Sequence, residues 1–159
     1  MRIWIPLGLA SLALAGCKLQ QSPAAAPLTT AEATRIAETA EASFTTGDVK
    51  AIMAQYAAGA VMFDAGQPAF STDRKVQTGW AQGFVSMKPA DYHVPDRQIQ
   101  LLGANAFISS GTETFTIESG SARPTISIRF TDVFQRQRDG SWKIVHEHLS
   151  MPPTPAGQQ

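Results

Sequence analysis

The sequence contains a single cysteine, Cys17, so no internal disulfide can staple the fold and CxxC redox chemistry is excluded. It has no surplus of either charge, with 13 Lys and Arg against 13 Asp and Glu. A chain without a basic excess has little electrostatic means of neutralising phosphates, so no nucleic-acid partner is expected. Neither a glycine-rich phosphate loop nor a Gly-x-Ser-x-Gly nucleophile elbow occurs. Long hydrophobic runs are also scarce. The one at Ile3 to Ala15 is interrupted by Pro6, Gly8 and Ser11 and is too short to span a bilayer comfortably.

That run follows Met1-Arg2 and ends in Leu14-Ala15-Gly16-Cys17, a short positive region, an apolar stretch and small residues, as in a cleaved signal. It resembles the bacterial lipobox, which implies that residues 1–16 are removed and that Cys17 carries the lipid. Several acyl chains on one residue make a stable anchor. The expected location is extracytoplasmic and lipid-anchored. Lys18 after the cysteine points by analogy to the periplasmic side of the outer membrane in a Gram-negative cell. Residues 17–27, with Gln, Ser, Pro and Ala, read as a tether, and residues 152–159, which open Pro152-Pro153-Thr154-Pro155, as a loose tail. Residues 28–151 remain as one domain.

Its first half carries helical periodicity. Thr29 and Glu32 fit a capping box, and Ala33, Ile36, Ala40 and Phe44 form an apolar stripe ended by Gly47. Asp48 can cap a short second helix with Val49, Ile52, Met53 and Tyr56 on one face, closed by Gly59. Ala60 to Asp64 is a short β-like run. Val76, Trp80, Phe84 and Met87 again recur at helical spacing between Asp73 and Met87. The period then changes to 2: Gln98–Leu102, Ala106–Ile117, Thr125–Arg136 and Trp142–Ser150 read as four strands, the last two joined by the Asp139-Gly140 hairpin signal. The fold class is α+β, with three N-terminal helices packed on one face of a curved, mainly antiparallel sheet.

Strand parity selects the candidate site. Ile126, Ile128, Phe130, Asp132 and Phe134 share one face of the third strand, and Phe107, Ser109, Gly111, Glu113, Phe115 and Ile117 one face of the second. An ionised carboxylate in apolar company is costly, so Asp132 and Glu113 are either acid/base groups of raised pKa or structural acceptors for an Arg, Tyr or Trp donor. The last strand is apolar on both faces, which suggests helices on one side and a second subunit on the other. His146 and His148 point the same way but have no acidic or cysteine ligand at fixed spacing, so a surface or interface role is expected and no metal. No organic cofactor is implied either.

The stretches Thr131-Asp132-Val133-Phe134 and Arg138-Asp139-Gly140-Ser141-Trp142-Lys143-Ile144-Val145-His146-Glu147-His148-Leu149-Ser150-Met151-Pro152 resemble the end of a SnoaL-like domain of the nuclear-transport-factor-2-like superfamily. Gly47-Asp48, Tyr56 and Ala60-Val61-Met62-Phe63-Asp64 are similar to its opening. The resemblance implies a cone with a pocket at its open end and dimerisation through the convex sheet face. The association domain of calcium/calmodulin-dependent kinase II ends in a similar way. There, arginines enter the pocket from three strands, and matching the motifs puts Ser109, Asp132 and Leu149 at those places. The resemblance also supports Asp132, Glu113 and Glu147 as cavity-facing. Because the superfamily includes isomerases, cyclases, dehydratases, hydrolases and non-catalytic domains, fold alone does not settle activity.

Three functions compete. In the first, the domain binds a small, partly apolar ligand or a partner without turnover. Tyr56, Phe63, Asp64, Trp80, Phe84, Phe107, Ser109, Phe115, Glu147 and Leu149 are its pocket candidates. The second is a cofactor-free lyase, isomerase or hydrolase, with Asp132 as general base, Glu113 or Tyr56 as its acid partner and Trp80 as the desolvating wall. The third is a structural assembly module.

Overall fold

The computed structural model describes residues 27–153; Cys17, the signal, nearly all of the tether and the end of the tail lie outside the described residues. The first helix, α1 (Thr30–Glu41), begins where the sequence places a capping box. Thr29 Oγ1 accepts from the Glu32 amide at 3.2 Å, and Glu32 Oε2 accepts from the Thr29 amide at 2.9 Å. Ala33, Ala37 and Ala40 are buried, and these small side chains let α1 pack on the sheet through β3 (Gln98–Leu101) and β4 (Ala106–Thr116). A 3-10 turn over Ala42–Thr45 carries Phe44 into the core, and Gly47, at φ +72°, reverses the chain. Helix α2 (Val49–Met53) is shorter than its apolar spacing predicts. Tyr56 leaves the helix and opens strand β1 (Tyr56–Phe63), which starts four residues before the β-like run visible in the sequence.

Helix α3 (Arg74–Ser86), capped by Asp73, follows β1, so the helices do not all precede the sheet. Its apolar stripe is split between core and surface. The core side is taken by Gln77, Ala81 and Phe84, whereas Val76 is 49% and Met87 37% exposed. Gln77 is compatible with burial because its amide nitrogen donates to the Ala60 and Ser71 carbonyls at 2.7 and 3.2 Å. Strand β2 (Ala90–His93) has no periodic signal in the sequence. It begins just after Lys88, and both Lys88 and its own Asp91 have positive φ.

Strands β5 (Thr125–Arg136) and β6 (Trp142–Ser150) complete a six-stranded sheet ordered β1-β6-β5-β4-β2, with β3 also on β4. The β1–β6 pair is parallel and the others antiparallel, giving a curved mixed sheet. One irregularity decides the site. Val133 pairs with His146 but Phe134 with Ile144, leaving Val145 as an extra residue in β6. The bulge lets Ile144 and then Glu147 and Leu149 face inward on one strand. It therefore accounts for the apolar residues at both parities of β6, a pattern from which a second covered face had been expected. On the outer face Phe63 lies 5.7 and 5.4 Å from His146 and His148, and 5.3 Å from the exposed Phe70.

Candidate functional site

Three carboxyl groups converge on the concave side of the sheet, one from each of its three longest strands. Glu113 comes from β4, Asp132 from β5 and Glu147 from β6, with relative exposures of 8, 6 and 3%. The register brings Ser109, Asp132 and Glu147 side by side across the three strands. Two tyrosines serve them. The Tyr56 hydroxyl, carried in by the early start of β1, donates to Glu147 Oε2 at 2.6 Å, and the Tyr92 hydroxyl on β2 donates to Glu113 Oε2. Asp132 Oδ1 and Glu147 Oε1 accept no hydrogen bond from the described residues.

The cation nearest to this cluster is committed elsewhere. Arg97 donates two hydrogen bonds to Glu41, both 2.6 Å, and a third to Ser109 Oγ at 2.9 Å. This fork is the bidentate geometry that holds guanidinium and carboxylate most firmly. Gly111 makes it possible, because a Cβ there would lie 2.9 Å from Asp96 Oδ1 and 3.4 Å from the Arg97 Cα. Only a bare backbone lets residues 96 and 97 cross β4 so closely, and Asp96 fixes the crossing by accepting from the Thr112 amide at 2.6 Å. Among the described residues, no Lys, Arg or His forms a salt bridge with Glu113, Asp132 or Glu147.

The protonation states follow. Burial pushes the Glu113 carboxyl up to about 7, against the hydrogen bond from Tyr92. Burial, reinforced by Glu113 and Asp64, pushes Glu147 up to about 8, against the hydrogen bond from Tyr56. Asp132 is driven well above the ordinary range by burial, then by Glu147 and Glu113, with Arg97 pulling weakly the other way. Adjacent carboxyls of this kind share protons and titrate as a unit. Both tyrosines are held neutral, chiefly by burial.

Phe44, Trp80, Phe84, Tyr92, Glu113, Glu147 and Leu149 line a small chamber of about 10 Å³, close to the smallest space that admits one water-sized group. Outside it, between α3 and the sheet, runs a groove of about 660 Å³. Its walls include Met62, Val76, Met87, Ile128 and Met151, with Asp64, Gln67 and Gln77 as polar members. Trp80 and Phe84 line both spaces and form the partition between them, their rings stacked at 5.8 Å and 14°. Gly79 and Gly83 also line the groove, and a Cβ at either would meet nothing within 4 Å. The groove is as wide as it is because α3 omits two side chains there.

The structure brings together Tyr56, Glu113, Asp132, Glu147 and Leu149, with Trp80 and Phe84 over them and Asp64 in the groove. The other pocket candidates do not line the chamber. Phe63 is on the outer face, because Met62 takes the inward position at that end of β1. Phe107 is fully buried, stacked on Phe134 at 4.6 Å and packed against Trp142 in an aromatic floor away from the chamber. Phe115 supports Phe84 and Tyr92 from behind, and Ser109 is fully buried under Arg97. Sequence reasoning missed Tyr92, Arg97, Glu41 and the groove residues other than Asp64, Trp80 and Phe84. The only signal for the last was the apolar stripe of α3. Among the described residues, no group of three His, Cys, Asp or Glu is arranged to hold a metal ion.

Residues 33–154 match the sequence profile of the SnoaL-like domain. The fold is similar to that of a Xanthomonas campestris protein assigned as a calcium/calmodulin-dependent protein kinase II association domain. Identity is 24% and the TM-score 0.70, over 77% of this chain and 86% of that one. An NTF2-like protein of unknown function from Pseudomonas putida KT2440 matches at 20% identity and TM-score 0.66, over 81% and 90%. A ketosteroid isomerase-like protein from Erwinia carotovora atroseptica matches at 14% and 0.62, over 76% and 94%. No curated protein matches the chain.

Proposed function

The chain belongs to the SnoaL-like domain family, and on that footing we propose that it binds a small, partly apolar ligand in the groove between α3 and the sheet without chemically changing it. One observation carries this reading. The apolar stripe of α3 is split: Phe84 is buried in the core, whereas Val76 and Met87, with Met151 just after β6, stand exposed around one concavity. Exposed apolar side chains gathered on a groove with a few polar members are the usual surroundings of a small-molecule site. Gln77 is among the polar residues at the groove wall, and its buried Oε1 accepts no hydrogen bond from the described residues. The carboxyls stand behind the Trp80–Phe84 pair, which argues against their acting on a molecule that stays in the groove.

The experiment is a thermal-shift screen against small acids, sterols, polyketide-like aromatics and terpenoids, run beside Gly83→Leu, which fills the groove. Ligands that stabilise the parent chain and not the variant support the reading; equal shifts in both would remove it.

A second reading, proton transfer by a cofactor-free isomerase, lyase or hydrolase, is favoured by the carboxyl titrations near neutral pH, where general acid–base groups are most effective. It requires the Trp80–Phe84 partition to open and Asp132→Asn to abolish turnover with folding intact. The lipobox resemblance supports an extracytoplasmic domain held to the membrane through Cys17. The outward patch of Phe63, Phe70, His146 and His148 is the part of the outer sheet face we assign to self-association.

A further inference from the structure

We propose that the chamber behind Trp80 and Phe84 receives the ammonium head of a primary amine whose apolar tail lies in the groove. The proposal rests on the groove reading above and names the ligand class for it.

The argument is one of charge and size. Glu113, Asp132 and Glu147 are each more than nine-tenths buried, and the guanidinium closest to them is taken by Glu41 and Ser109. Two carboxyl oxygens, Asp132 Oδ1 and Glu147 Oε1, accept no hydrogen bond from the described residues, and Glu147 lines the chamber. Carboxyl groups buried in this way lack what a cation with several N–H donors supplies. The chamber, at about 10 Å³, admits a head of about one water molecule's size. A primary ammonium meets that limit and a trimethylammonium does not. Around the carboxyls stand the ring systems of Phe44, Trp80, Phe84 and Tyr92, whose faces attract a cation and exclude water. The space next to the chamber, beyond the Trp80–Phe84 pair that lines both, is the 660 Å³ groove, apolar over most of its lining; a ligand that fills both spaces parts this ring pair, as the proton-transfer reading also requires. A head that seeks carboxylates and a tail that seeks methionine, valine and isoleucine describe an amphiphilic primary amine.

Protonation couples to this binding. The groups facing the chamber or adjoining it are Tyr56 on β1, Asp64 after it, Tyr92 on β2, Arg97, Glu41 on α1, Glu113, Asp132 and Glu147. Near pH 7 burial keeps a proton on Glu147. An arriving ammonium favours the carboxylate, so the site releases a proton as it binds.

The test is calorimetric titration of the full chain with hexylamine, hexan-1-ol and hexyltrimethylammonium at pH 7, in buffers of different ionisation enthalpy. Hexylamine is expected to bind at least about tenfold more tightly than either analogue and to release about one proton per molecule bound. Glu147→Gln keeps the shape of the neutral acid. It should reduce hexylamine affinity at least about tenfold and leave hexan-1-ol binding unchanged. If that variant does not fold, the comparison of the three ligands on the parent chain decides. Hexan-1-ol binding as tightly as hexylamine would overturn the ammonium site while leaving the groove reading in place. Hexyltrimethylammonium binding as tightly as hexylamine would put the head outside the chamber and overturn the proposal too. If none of the three binds, the ammonium site falls, and the groove reading is decided by the thermal-shift screen with Gly83→Leu.

Discussion

Asp132 and Glu147 are directly paired across β5 and β6, and each keeps one carboxyl oxygen, Oδ1 and Oε1, without a hydrogen bond from the described residues. Two buried acids in lateral register cannot both be ionised without a cation between them, so the folded chain holds protons that the unfolded chain gives up. The stability curve should show this. Glu113 rises from 4.5 to about 7 and Glu147 from 4.5 to about 8, both chiefly through burial. Within those windows the folded state binds more protons than the unfolded state, so stability is greatest below pH 4.5 as far as these groups are concerned and falls as pH rises. The slope is roughly 1.4 kcal/mol per pH unit for each proton held. Urea denaturation from pH 5 to pH 8.5 checks the sign, and Glu147→Gln should flatten the curve by about one group's share.

Tyr56→Phe removes the donor at 2.6 Å from Glu147 Oε2 and leaves that carboxyl with neither oxygen satisfied. The expected loss is about 1–3 kcal/mol of unfolding free energy, with the titration of Glu147 moved further up. A chemical melt, with NMR titration of labelled glutamate, reads both.

Gly83→Ala should stabilise the protein. The residue sits inside α3 with φ in the ordinary range, and its added methyl meets nothing within 4 Å. Helix propensity alone gives about 0.5–1 kcal/mol in its favour, measurable as a rise in Tm.

Gly111→Ala should act in the opposite direction. Its methyl would lie 2.9 Å from Asp96 Oδ1, the atom that accepts from the Thr112 amide. The crossing segment must shift, taking Arg97 from Glu41 and Ser109. A loss of about 1–3 kcal/mol is expected in denaturant unfolding, the range for overpacked sites.

Cys17→Ser tests the anchor. If Cys17 carries the lipid, the variant leaves the membrane pellet for the soluble fraction on cell fractionation, and labelling with a radioactive fatty acid disappears.

The parts legible in the sequence were those governed by neighbours. The capping box of α1, the long alternating strands β4 and β5 and the Asp139-Gly140 turn depend on residues a few places apart. Asp132 and Glu113 stood out because a carboxyl on an inward face needs an explanation wherever it occurs, whereas Glu147, on a strand apolar at both parities, joined them only through the family resemblance. What stayed hidden depended on distant contacts. Arg97 is 56 residues from Glu41, and no local pattern links them. Tyr56 looked helical because its spacing from Val49, Ile52 and Met53 fits a helix, while pairing with β6 draws it into a strand. The α3 stripe was legible as apolar, but its periodicity carries no information on whether it faces core or groove.

The extra residue at Val145 divides β6 into two segments with separate duties. One side of it, Trp142 to Ile144, adds to the aromatic floor with Phe107 and Phe134; the other, from His146, carries Glu147 and Leu149 to the chamber. A strand broken in phase in this way can be revised in halves. Substitutions that retune the chamber need not disturb the floor that anchors the sheet, and the floor can drift without turning the acid outward. That independence leaves the chamber free to change while the floor goes on holding the sheet together.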